Sequence, residues 1–386
     1  MNMDSTHPSI NDLKARAKTR LPGFVWEFLD SATGSEGTKT RNRAGLDQVC
    51  LRQAALVGEF TPDLGATLLG RSYALPVGIA PVGMSGLIWP GAEPMLAQVA
   101  ATAGLPYTLS TVASRTPEDL SPHIGDQGWF QLYTPRDTGI RRDMLNRAKA
   151  AGFHTLVVTL DVPAASRRER QRRSGLQHPP KLTPRLFAQC MMRPDWSLRM
   201  LRNGMPRLKF MEEYQASIGN HGSTEHVGYQ LRGSPDMAYL LDTMAEWDGP
   251  VIAKGVMRPD AAVQLRDAGV DAVWVSNHAG RQLDGSPASI EVLPEIRAAV
   301  GPDYPLLFDS GVESGLDVLR AIALGADFVM LGRAFHYGLA AFGSAGAAHV
   351  LHILSEDITS SMIQIGARRL SEVSAALWPG PPVVSG

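Results

Sequence analysis

The feature that most constrains this chain is a repeated alternation. Short apolar, β-branched runs lie at 76–81, 107–110, 129–133, 155–161, 250–254, 272–278, 305–311 and 328–333. Helix-like stretches fill most gaps between them, at 93–103, 140–151, 260–268 and 315–324. Gly104, Gly152, Gly269 and Gly325 stand just before the next run. A glycine at that point tolerates the left-handed conformation that ends a helix. Strands alternating with helices imply βα units and a parallel sheet. Eight such runs match an α/β fold of the (β/α)8 TIM-barrel type. A doubly wound open sheet is the alternative on pattern alone.

Composition agrees with a folded chain. Of 386 residues, 44% are hydrophobic and 19% charged, which excludes wholesale disorder. A length prior of roughly 150 residues per domain would suggest two or three domains. The barrel reading makes the chain a single domain over 1–386, with the barrel at about 70–345. The net charge is 37 − 38 = −1, which argues against a dedicated nucleic-acid binder. Cys50 and Cys190 are far apart and form neither a disulfide framework nor a metal-ligand spacing, so no metal site is expected. The first eighteen residues lack the apolar core of a signal peptide. The uncharged stretch 72–92 is broken by Pro76, Pro81 and Pro90 and by four glycines, so it reads as a buried strand and loop rather than a membrane helix. A cytoplasmic location is the default expectation.

About ninety residues separate the fourth run from the fifth, more than one crossover helix needs. The insert spans about 174–230. Over 167–209 there are twelve Lys and Arg against two acids, a charge of +10, so the remainder carries −11. Leu186, Phe187, Met191, Met192, Trp196, Leu198, Met200, Leu201 and Met205 are interleaved with these bases. Such a segment suits an anionic membrane surface. A lid or an oligomer contact is the other reading.

Barrel chemistry belongs at the C-terminal strand ends. Those ends carry polar groups with no role in an apolar core: Gln131, Tyr133, Thr159, Asp161, Lys254, Ser276, His278, Asp309, Gly332 and Arg333. His278 is followed three residues later by Arg281. An imidazole can take a proton near neutral pH, and a guanidinium can hold a carboxylate in a fork. Together they suit an acidic substrate whose reacting carbon adjoins its carboxylate.

The segment Ser276-Asn277-His278-Ala279-Gly280-Arg281-Gln282-Leu283-Asp284-Gly285 resembles the signature of the FMN-dependent α-hydroxy-acid oxidase and dehydrogenase family. That family includes glycolate oxidase, flavin-type L-lactate dehydrogenase and mandelate dehydrogenase. The resemblance runs over about 10–378. It recurs at Asn42-Arg43, Ile79-Ala80-Pro81, Trp129-Phe130-Gln131-Leu132-Tyr133, Thr159-Leu160-Asp161-Val162-Pro163, Arg167-Arg168-Glu169, Lys254-Gly255, Asp309-Ser310-Gly311 and Gly332-Arg333.

The resemblance implies FMN as cofactor and an L-2-hydroxy acid as substrate, lactate-like or larger. It implies that His278 is the base, that Asp161 orients it, that Arg281 and Arg168 bind the carboxylate and that Tyr133 bonds the substrate oxygen. Lys254 would stabilise charge on the reduced ring. Pro81, Val82, Gly83, Ser110, Gln131, Thr159 and Ser276 would meet the ring. Asp309 would bind the ribityl chain. Ser310, Gly311, Gly332 and Arg333 would form the phosphate site. A homotetramer is implied in the same way.

Two departures stand out. Phe28 occupies the place of a family tyrosine that helps hold the carboxylate, and no tyrosine precedes Tyr73. Glu313 stands where relatives carry a basic residue near the phosphate; it is expected to face away, leaving Arg333 as the principal cation. Val112 and Ala165 are small, which implies a roomy pocket. If the insert at 180–210 touches the inner face of the cell membrane, quinone is the implied electron acceptor. If it is a lid, a soluble oxidase reducing O2 to H2O2 remains open. An FMN barrel isomerase or a non-catalytic barrel would not need the His278, Arg281 and Arg168 set.

Overall fold

The computed structural model describes residues 3–175, 183–214 and 233–379. A hairpin of β1 (Ala66–Leu68) and β2 (Arg71–Tyr73) precedes a closed barrel of eight parallel strands. These are β3 (Val77–Ile79), β4 (Tyr107–Ser110), β5 (Gly128–Tyr133), β6 (Thr155–Thr159), β7 (Val251–Val256), β8 (Ala272–Val275), β9 (Leu306–Phe308) and β10 (Phe328–Leu331), with β10 pairing back onto β3. Helices cover the outside, so most strand residues are buried on both faces. That is why the strands read as continuous apolar runs rather than as alternating ones.

Gly104 ends the helix Ala92–Ala103 at φ +64°, as the glycine stops required. The stretch 72–92 holds β3 and the short helix Ser85–Ile88. Several expected strands were too long. The run 155–161 stops at Thr159, 272–278 at Val275, and 305–311 at Phe308. In each case the chain leaves the ladder and carries its last polar residues above the barrel. Tyr73 closes the opposite mouth, packing edge-on against Phe328 at 5.2 Å and Trp129 at 6.5 Å between ring centroids.

Three N-terminal helices, Ile10–Arg20, Gly23–Asp30 and Gly37–Gln48, approach the C-terminal rim. The insert contributes helices Pro184–Met191 and Pro194–Asn203. Leu186, Trp196 and Met200 are buried, and the Trp196 indole donates to the carbonyls of Leu87 and Ile88, at 3.2 Å each. Burying one such aromatic contributes on the order of 1.5–3 kcal/mol. The parts of the insert at 176–182 and 215–232 lie outside the described residues. Among the described residues, no helix is long and apolar enough to cross a membrane.

Candidate active site

Parallel register sets the site's floor. Tyr133, Thr159 and Lys254 are partners in one row across β5, β6 and β7, and Ser110 pairs with Gln131 across β4 and β5. The Ser110 hydroxyl donates to Gln131 Oε1 at 2.7 Å, and Gln131 Nε2 donates to Thr159 Oγ1 at 2.9 Å. All three are buried. Their bonds fix which way the amide faces.

A second buried network starts at Lys254, which is 4% exposed. Its ammonium donates to Ser276 Oγ at 2.7 Å and pairs with Asp309 Oδ2 at 2.9 Å. Ser276 and Ser310 each donate to Asp309 Oδ1, at 2.6 and 2.7 Å. A buried charge persists when paired and hydrogen-bonded in this way.

His278 opens a single 3-10 turn at φ +57°. Reciprocal amide bonds between Asn42 and Asn277, at 2.9 and 2.7 Å, brace that turn. Ser310 Oγ accepts from the Ala279 amide at 3.0 Å. Nδ1 of His278 lies 3.1 Å from Asp161 Oδ2, and Nε2 lies 3.4 Å from the Tyr133 hydroxyl. The carboxylate therefore selects the tautomer with the proton on Nδ1, leaving Nε2 as the acceptor. Burial pushes the imidazole below its ordinary 6.5; Asp161 opposes that shift, and Lys254 and Arg168 add to it. Burial works to raise Asp161, but His278 and Lys254 overcome it and hold the carboxyl below 3.8. The pair is a neutral base beside an ionised carboxylate.

Two arginines approach from the rim. Arg168, at φ +46°, begins the short helix Glu169–Arg173, and its amide donates to Thr33 Oγ1 at 3.2 Å. Arg281 donates from Nη1 to the carbonyls of Phe28 at 3.0 Å and Ser31 at 2.8 Å. Its guanidinium sits 5.8 Å from the Phe28 ring centroid. The segment after Ser31 ties both arginine loops together. Glu169 accepts from the Gly34 amide at 2.7 Å. Asp284 accepts from the Ser35 and Thr38 amides at 2.7 and 2.8 Å.

Arg333 begins the helix Arg333–Phe342 and donates to the same Ser31 carbonyl at 2.9 Å. Gly332 precedes it, and a Cβ there would lie 3.2 Å from Val82. Gly311, at φ +91°, packs on Asn42. Glu313 turns away to pair with Lys14 at 2.8 Å. Lys39 pairs with Asp30 at 2.9 Å, close enough to Arg333 for their charges to interact. Pro81, Val82 and Gly83 follow β3, where Gly83 abuts Val112.

Residue order alone did not reveal the supporting roles of Ser31, Thr33, Asn42, Glu169 and Asp284.

This donor set fits FMN. A buried cation, an oriented amide and hydroxyls suit the polar edge of the ring, and an arginine at a helix N-terminus beside two glycines suits a phosphate. A model of FMN-dependent dehydrogenases matches residues 17–379. The chain belongs to that family. It is 39% identical over 368 residues to an L-lactate dehydrogenase of Pseudomonas aeruginosa (strain UCBPP-PA14), covering 94% of this chain and 96% of that one. The crystal structure of the monotopic membrane protein (S)-mandelate dehydrogenase superposes with a TM-score of 0.88 at 32% identity, over 96% of this chain and 99% of that one. A mandelate oxidase with (S)-2-phenylpropionate gives a TM-score of 0.80 at 31% identity, over 96% and 97%. Like its family, this FMN-dependent dehydrogenase uses FMN as its cofactor.

Proposed function

We propose that this dehydrogenase oxidises an L-2-hydroxy acid of lactate size or larger to the 2-oxo acid and passes the electrons to a membrane quinone. The observation that carries this reading is the His278–Asp161 pair at 3.1 Å, with Tyr133 at Nε2 and Arg168 near enough to influence the imidazole. Resemblance to an L-lactate dehydrogenase and to a mandelate dehydrogenase supports the substrate class.

Arg281 and Arg168 hold the substrate carboxylate, which fixes the α-carbon above the barrel. Tyr133 donates to the substrate's hydroxyl oxygen. His278 Nε2 takes one proton, from the hydroxyl or from the α-carbon, the other hydrogen and the two electrons leaving toward the flavin, and Asp161 stabilises the imidazolium that forms. Bound FMN supplies the two-electron acceptor. Lys254 would lie at the ring's polar edge, where an ammonium favours negative charge. Ser110, Gln131, Thr159, Ser276 and the Pro81-Val82-Gly83 turn would meet the ring edge. Asp309 would take the ribityl hydroxyls, and Ser310, Gly311, Gly332 and Arg333 would hold the phosphate. The whole chain acts as one catalytic domain, assembled as a homotetramer.

Exposed apolar side chains on the insert favour a peripheral membrane contact. Phe187, Met191, Met192, Leu198, Leu201 and Met205 are each more than half exposed. Exposed Arg185, Arg202 and Arg207 lie among them. Apolar anchors with basic neighbours suit an anionic lipid surface.

Anaerobic mixing of the FMN-loaded enzyme with L-lactate, L-mandelate and glycolate tests the function. Bleaching of the flavin by at least one acid is expected; no bleaching by any of them sinks the reading. Reoxidation by a short-chain quinone should outpace reoxidation by O2. Vesicle co-sedimentation should be lost when 180–210 is deleted.

A further inference from the structure

We propose that Gly255 is a positioning residue whose missing side chain leaves the space in which the Asp161 carboxylate sits against His278. The inference rests on the proposed role of His278 as base. Strand β7 does not pair evenly with β8. Lys254 lies opposite Trp274, but Val256 lies opposite Val275, so the register shifts between them and Gly255 has no partner. That is a β-bulge, a device that re-aims side chains near active sites. Gly255 has φ +100°, a backbone conformation that L side chains rarely adopt.

The bulge separates two demands on neighbouring residues. Lys254 points to Ser276 and Asp309. The next residue faces Asp161. A Cβ on Gly255 would lie 2.4 Å from Asp161 Cγ, 2.5 Å from its Cβ and 2.6 Å from Oδ1. Rotating the aspartate carries Cγ and Oδ1 away, and with them the carboxylate from the imidazole, while its Cβ, bonded to the backbone, stays in the way. Any side chain here must push the carboxylate off the imidazole. The glycine that follows the flavin-site lysine therefore acts on the proton-transfer pair rather than on the flavin.

Gly255→Ala should slow anaerobic flavin reduction about tenfold or more, within the range attributed to acid–base groups. Substrate dissociation constants should move less than about threefold, because Arg281 and Arg168 keep their places. His278 is faced by Asp161, Lys254, Arg168 and Tyr133, and of these only Asp161 should shift. Asp161 raises the imidazole pKa, so the His278 titration followed by NMR should move to lower pH in the variant.

The same substitution in an Asp161→Gly background removes the three atoms nearest the new Cβ. There, Gly255→Ala should cost less than about threefold further, a non-additive cycle. Wild-type reduction by Gly255→Ala, or an equal loss in both backgrounds, overturns the proposal. If Gly255→Ala alone does not fold, folding of the double variant supports the proposal and failure of both overturns it. If wild-type enzyme is bleached by no hydroxy acid, the functional reading fails, while the NMR titration still judges the placement of Asp161.

Discussion

Arg281 and Arg333 donate to one acceptor, the carbonyl oxygen of Ser31, at 2.8 and 2.9 Å. Ser31 caps the C-terminus of the helix Gly23–Asp30, where unsatisfied carbonyls concentrate negative charge. One backbone unit therefore orients the arginine proposed for the substrate carboxylate and the one proposed for the cofactor phosphate. Arg281→Lys should break this arrangement, because an ammonium lacks the planar fork needed to hold two carbonyls and a carboxylate together. We expect kcat/KM to fall about 10–100-fold, mostly through KM, the size of a lost charge-assisted bond of about 1.5–3 kcal/mol. FMN content should be unchanged; equal kinetics in the two proteins would refute the role.

Phe28 gives Arg281 a backbone acceptor at 3.0 Å but no hydroxyl for the substrate. Its ring centroid stands 5.8 Å from the guanidinium. Phe28→Tyr should add one hydrogen bond to the substrate carboxylate. The expected result is tighter binding of simple 2-hydroxy acids by roughly 10-fold or more. An unchanged or raised KM counts against it.

Fold and site were legible to different depths. Periodicity found all eight strands because both sheet faces are buried, and Tyr107–Ser110 has the expected bounds. It overshot at Asp161 and His278 because an apolar run does not reveal where the ladder stops. His278 has φ +57°, which no strand allows. The site residues stood out because charge at a barrel strand end has no packing use. Their supports did not stand out. The bonds from Arg281 to Ser31, and from Ser35 and Thr38 to Asp284, join residues roughly 250 apart in the chain. Each end looks ordinary in its own neighbourhood.

His336 makes stability depend on pH outside the chemistry. It is 1% exposed, with Nδ1 2.8 Å from the Gly332 carbonyl and Nε2 2.8 Å from Ser85 Oγ. Burial pushes its pKa down to about 4, from an ordinary 6.5. The folded state keeps it neutral while the unfolded chain binds a proton below pH 6.5. Its contribution is thus complete above pH 6.5 and is lost as the pH falls toward 4. Between pH 7 and 5 this one group should remove about 2 kcal/mol of unfolding free energy. Urea unfolding at the two pH values measures it. His336→Gln cannot titrate and should show a smaller difference; equal slopes would rule the assignment out.

The insert presents one buried and one exposed apolar face. Trp196 and Met200 bind the barrel, while Leu198 and Leu201, on the same helix, are 54% and 81% exposed. A bilayer would remove this exposed apolar area from water. Leu198→Glu with Leu201→Glu places two negative charges where anionic lipid headgroups would lie. Co-sedimentation with anionic vesicles should drop at least tenfold, about 1.4 kcal/mol or more. Neither residue belongs to the proposed site, so reduction of a soluble dye should keep its wild-type rate. Binding by the parent protein should weaken with added salt, since the arginines act through a screened field. Undiminished vesicle binding by the double variant would assign this face to a lid or to a subunit contact instead.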